Sequence, residues 1–193
     1  MAIGVIDGFV ETGEVDFVKE FADVRPIIVI CDLLGLPRAM ASQFKIWADE
    51  YHELTTHYKF REFGADAHEL ALQKSAMEYH DYLVDAIEAR RRVPTDDIIS
   101  ALANSTTDER LLDMTELLPL IKLLLIAGNE TTARLISNSM LMLPGDPDQM
   151  AALRANRTMV TRMIDVALRL DGPVMWCNRC PAVDVGPGGV RFP

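Results

Sequence analysis

Apolar positions recur at helical spacing along most of the chain, and Gly, Pro and Asp clusters separate the segments. Gly13 divides a short opening stretch from Glu14–Phe21. Pro26 suits the first turn of a helix running to about Leu34, which Gly35 and Pro37 end. The run Ile27-Ile28-Val29-Ile30 also reads as a buried strand, but helical boundaries on both sides favour a buried helix. From Arg38 to about Leu54, Met40, Phe44, Trp47 and Tyr51 recur on one helical face. Beyond Gly64, Ala65–Arg92 reads as a long helix stopped before Pro94; Arg90-Arg91-Arg92 at its end complement the helix dipole. Asp96 or Asp97 caps a short helix to about Ala103, and Asn104–Arg110 is a polar loop. Thr115 with Glu116 opens the most apolar helix, which continues through Gly128 to about Leu143. After the break Pro144-Gly145-Asp146-Pro147, two helices follow, about Pro147–Ala155 and Thr158–Leu170. Val174–Pro193 alone has strand-and-turn character, with Gly186-Pro187-Gly188-Gly189 as a hairpin-like turn. The expected fold is mainly α, without internal repeats and with a short hairpin-like C-terminal segment.

Composition narrows the class. The 193 residues are 49% apolar and 25% charged, ordinary globular proportions that exclude collagen-like and mainly disordered chains. A chain of this length supports one sizeable core, so residues 1–193 are read as a single domain. The net charge is −10, which disfavours nucleic-acid binding because phosphate contacts need clustered cations. Three cysteines, Cys31, Cys177 and Cys180, do not make a disulfide framework, so reduced thiols and a cytoplasmic setting are expected. The greasiest stretch, Leu117–Gly128, is interrupted by Lys122 and falls short of the ~20 residues of a membrane span.

Candidate chemistry concentrates at Leu123–Thr132. A helix this apolar is buried on most sides, so Gly128, Asn129, Glu130, Thr131 and Thr132 in its middle cost helix propensity and ask for polar partners. From composition alone, a helix–helix contact at Gly128 with locally satisfied Thr hydroxyls accounts for them. Cys177-Asn178-Arg179-Cys180 supplies two cysteines where a structural zinc needs four ligands, and His52, His57, His68 and His80 lack i,i+4 spacing. No metal site is expected from them.

The order of the motif residues adds a second reading. Ala127-Gly128-Asn129-Glu130-Thr131-Thr132 resembles the oxygen-binding helix motif of the cytochrome P-450 superfamily, [Ala/Gly]-Gly-x-[Asp/Glu]-Thr-[Thr/Ser]. Val15–Val18 through Ile30–Pro37 resembles that family's run into its E helix. Asp96–Leu102 is similar to the approach to its H helix, Pro147–Arg154 to its J helix, and Ala167–Val174 to the end of its K helix. The matches fall in the family's order. The resemblance implies a partial cytochrome P-450-like helical core. It implies proton-relay roles for Glu130 and Thr131, an oxygen groove at Ala127 and Gly128, and pairing of Arg179 with a heme propionate, which a planar guanidinium suits.

The same resemblance locates departures. It begins near the D helix and stops at Gly188-Gly189-Val190-Arg191-Phe192-Pro193, and no Phe-x-x-Gly-x-x-x-Cys-x-Gly sequence for a thiolate ligand occurs in the 193 residues. The family's Glu-x-x-Arg reads Val166-Ala167-Leu168-Arg169, a replacement attributed to Val being cheaper to bury than Glu. The expectation is a truncated cytochrome P-450-like protein without heme and without monooxygenase activity, in which Glu130 and Thr131 are vestigial. The alternative is a heme-dependent monooxygenase whose iron ligand is unusual or comes from a partner chain. Apolar surface left open by the absent elements predicts a homo-oligomer, most simply a dimer. No nucleic acid, membrane or redox partner is expected.

Overall fold

The computed structural model describes residues 6–11, 13–57, 66–107 and 110–177. A five-residue π-helical turn, Val18–Ala22, leads into helix α1, Val24–Leu34. A 3-10 turn, Arg38–Met40, precedes α2, Ala41–His57; α3, Ala67–Arg92, and α4, Ile98–Ala103, follow. Strands β1, Thr106–Thr107, and β2, Arg110–Leu111, pair antiparallel. Helix α5 spans Met114–Met142, and 3-10 turns at Leu143–Gly145 and Arg157–Met159 flank α6, Pro147–Ala155, before α7, Val160–Asp171.

Helix α5 is the axis of the fold. Its buried face includes Leu117, Ile121 and Leu125, four residues apart, and the helix as a whole packs most extensively on α1, then on α7, α2, α3 and α4. The core joins it to Ile27, Cys31 and Leu34 of α1, Phe44 and Trp47 of α2, Tyr79, Leu83 and Ile87 of α3, and Ile99 of α4. Each such side chain contributes roughly 1.5–3 kcal/mol on burial. Between α2 and α3 the rings of Phe44, Trp47, Tyr79 and Tyr82 contact one another in a cluster, with Trp47 stacked on Tyr79 at 5.7 Å. The run at Ile27–Ile30 is helical, as its boundaries predict.

The helix ends carry the specific polar chemistry. Asp97, the N-cap of α4, accepts from the Ser100 N–H at 2.7 Å. Arg90 donates through Nε to the same carboxylate at 3.0 Å and through Nη2 to the Gly35 carbonyl at 2.5 Å. Burial pushes the Asp97 carboxyl up, but hydrogen bonds from Thr95, Ser100 and Arg90 outweigh it and hold the group below its ordinary range. Arg90 therefore clamps the ends of α1 and α3 to the start of α4, and Arg91 donates to the Leu112 carbonyl at 2.5 Å. Complementing the helix dipole is not a sufficient account of these cations. Gly35 closes α1 at φ 71°, and a Cβ there would lie 2.2 Å from Asp97 Oδ2.

Two boundary expectations change. The cap of α5 is Asp113, two residues before Thr115. Its carboxylate accepts from the Glu116 N–H at 3.1 Å while Glu116 accepts from the Asp113 N–H at 3.0 Å, a reciprocal capping box. The strand pair interrupts the polar loop at 104–110, where a two-residue ladder is too short to show periodicity. The hairpin-like turn at 186–189 lies outside the described residues, and Val174–Cys177 forms no strand.

Candidate functional site

Helix α5 runs unbroken through the motif, and its 100° step distributes the motif residues around the axis. Leu123, Ala127 and Thr131, four apart, form one stripe along the helix, with Ala127 exposed and Leu123 59% exposed. The Thr131 hydroxyl donates to the Ala127 carbonyl at 2.7 Å, the local satisfaction expected of a mid-helix threonine. Gly128 lies a quarter turn away against α1, where an added Cβ would meet Ile30 Cδ1 at 3.3 Å. The composition-level account of Gly128 as a helix–helix contact therefore describes its position.

Asn129 turns into the core at 2% exposure, and its Oδ1 has no hydrogen-bond partner among the described residues. Glu130 faces a cleft of about 250 Å³ between α5 and α2, shared with Lys45, Asp49 and His52. Its carboxylate is half-exposed and pairs with Arg134 one turn on. Glu130 is thus not a buried carboxylate, because the cleft opens that face of α5 to solvent. Glu130 and Thr131 are sequence neighbours that serve different sides of the helix. Arg179 lies outside the described residues.

Heme is the group the motif implies, and its fit divides in two. A stripe with small Ala127 at its centre and the Thr131 hydroxyl bonded back to the helix suits a flat group placed against α5. The iron ligand has no counterpart among the described residues. Cys31 is fully buried in the core that α1 shares with α3 and α5, where burial and then Asp32 push its thiol up to about 11, the opposite of a thiolate. Cys177 follows α7 at the surface. No group of three or more His, Cys, Asp or Glu that could hold a metal ion occurs among the described residues. The residues present do not fit the complete group.

Val166 is 41% exposed, so burial does not explain its presence in place of Glu. Of the four histidines, His68 contacts Glu53 at 2.9 Å across α3 and α2, and its imidazole is raised above the usual value first by that hydrogen bond. Sequence reasoning underrated two residues. Arg90 was legible only as one of three terminal cations. Lys122 stood out as the sole charge in Leu117–Gly128, and the helical phase turns it inward to 7% exposure.

No protein-family model matches the chain. It is 35% identical over 195 aligned positions to a vitamin D(3) 25-hydroxylase of Pseudonocardia autotrophica, covering 100% of this chain and 45% of that protein. It is 35% identical over 197 positions to the cytochrome P-450 monooxygenase PikC of Streptomyces venezuelae, covering 98% and 44%. Among solved structures, the ligand-free cytochrome P-450 TbtJ1 superposes with a TM-score of 0.82 at 30% identity, covering 98% of this chain and 50% of that one. A cytochrome P-450 of Chondromyces apiculatus gives 0.81 at 31%, covering 100% and 45%. The chain spans less than half the length of the curated relatives it matches. With the motif helix, the flanking helices in family order and the superposition in agreement, the chain belongs to the cytochrome P-450 superfamily, of which it represents a helical portion.

Proposed function

We propose that the 193-residue chain, taken alone, holds no heme and is not a monooxygenase. The observation that carries this reading is the setting of the two described cysteines, Cys31 and Cys177. Cys31 is locked in the core with its thiol raised, the opposite of a ready thiolate, and Cys177 lies at the surface after α7; Cys180 lies outside the described residues. Glu130 and Thr131 are then inherited residues. Thr131→Ala should shift the thermal midpoint by only a few degrees, through loss of one local hydrogen bond, and change no turnover. The family's redox partner is not engaged, and a cytoplasmic setting suits the unbridged Cys31. No helix among the described residues is long and apolar enough to cross a membrane.

The deciding experiment is an absorption spectrum after expression with ample heme precursor, followed by reduction under carbon monoxide. The expected result is no Soret band. A stoichiometric band overturns the reading, and a thiolate-type carbon monoxide shift would direct mutation to Cys31, Cys177 and Cys180. A second reading rests on the intact stripe: a partner chain supplies the ligand, and the pair forms a heme-dependent monooxygenase. It predicts a Soret band only when a ligand-bearing chain is co-expressed.

Self-association belongs to the same proposal. Leu123 on α5, Leu168 and Leu170 on α7, and Met175 and Trp176 beyond it leave apolar area exposed. A second copy covering this area through a two-fold contact is the simplest arrangement.

A further inference from the structure

Lys122 sits where its helix should carry an apolar residue. Its ammonium lies 4.6 Å from the ring centre of Tyr51 and 5.3 Å from that of Tyr79. The ring faces attract a cation, yet among the described residues the ammonium has neither a carboxylate partner nor a hydrogen bond. Its three N–H donors are left for something else. Burial lowers its pKa, which marks the charge as one the fold does not itself compensate.

The ammonium lines an open cleft of about 390 Å³ where the N-terminal half of α5 meets α2 and α3. Met114, Leu118 and Pro119 form apolar walls, and Tyr51 and the exposed His80 add polar groups to the lining. Thr115 also lines it, but its hydroxyl already donates to Asp113 at 2.6 Å. The cleft is separate from the motif stripe: Lys122 lies on the buried side of α5 and Ala127 on the open side.

We propose that this cleft binds a small amphiphilic monocarboxylate, its carboxylate paired with the Lys122 ammonium and its apolar body against Leu118, Pro119 and Met114. One ammonium balances one negative charge. A dianion such as a phosphate monoester would bring a second charge into apolar walls beside the Asp113 carboxylate, and a neutral ligand would leave the ammonium unpaired. The volume falls within the range of small-molecule sites lined by apolar residues with a few polar groups.

Calorimetric titration of the full chain with octanoate, and separately with octanol, tests the site without reference to heme. Octanoate should bind one per chain, at least tenfold more tightly than octanol. Lys122→Met keeps the apolar stem and should erase that preference, whereas Lys122→Arg should retain it. His80→Ala, at an exposed position, should weaken octanoate two- to fivefold and leave octanol unchanged; it serves as the variant if Lys122→Met loses its helical circular dichroism. Equal affinity for the two probes, no saturable octanoate binding, or an undiminished preference in a folded Lys122→Met overturns the proposal.

Discussion

At the scale of single residues, Gly35 is the most constrained position described. Its φ of 71° disfavours any side chain, and the space a Cβ needs is filled by Asp97, itself held by Arg90, Thr95 and Ser100. Gly35→Ala should destabilise the fold by about 2 kcal/mol or more, a fall of roughly 4–8 °C in thermal midpoint for a chain of this size. Differential scanning calorimetry checks it, and an unchanged midpoint would mean the clamp yields without cost. Gly128 offers the contrast. Its added Cβ meets only the flexible end of Ile30 at 3.3 Å, and alanine favours the helix by about 1 kcal/mol, so Gly128→Ala should be close to neutral by the same measurement.

At the scale of elements, α5 depends on its first turn. The Asp113–Glu116 capping box satisfies two backbone N–H groups, and Arg110 at the edge of the strand pair reaches both Glu116 oxygens at 2.7 Å. Asp113→Ala should cost about 1 kcal/mol, read from urea unfolding. The Arg110 hydrogen bonds first, then the Asp113 N–H, hold the Glu116 carboxyl at about 2, below the 4.5 it has without them. Because its folded value is depressed, the contribution of Glu116 is present above pH 4.5 and is lost as pH falls from about 4.5 to about 2. Glu116→Gln should flatten that part of the stability profile; an unaltered acid limb would remove Glu116 from the account. The strand pair that positions Arg110 was not legible, since two-residue strands leave no alternation to detect.

At the scale of the whole molecule, α5 packs against five helices, while among the described residues its stripe through Leu123 and Ala127 stays open. Sedimentation velocity at micromolar concentration should give a dimer. Leu123→Glu puts a charge on the open stripe without entering the core and should shift the population to monomer. A monomer for the unaltered chain would show that the exposed area is tolerated without a second copy.

The sequence alone was enough for the helical class, the spans of α3, α6 and α7 to within two residues, and the family, because periodicity, capping residues and an ordered motif are local signals. It placed Glu130, Thr131, Ala127 and Gly128 together in one helix. Tertiary structure decided what each faces: Gly128 against α1, Glu130 on the α2 cleft, Thr131 on the open stripe, and Lys122 in an aromatic cleft without a counter-charge. A pattern in one dimension records which side of its own helix a residue occupies. Only the packing of the other helices determines whether that side meets apolar core, an opposing charge or water.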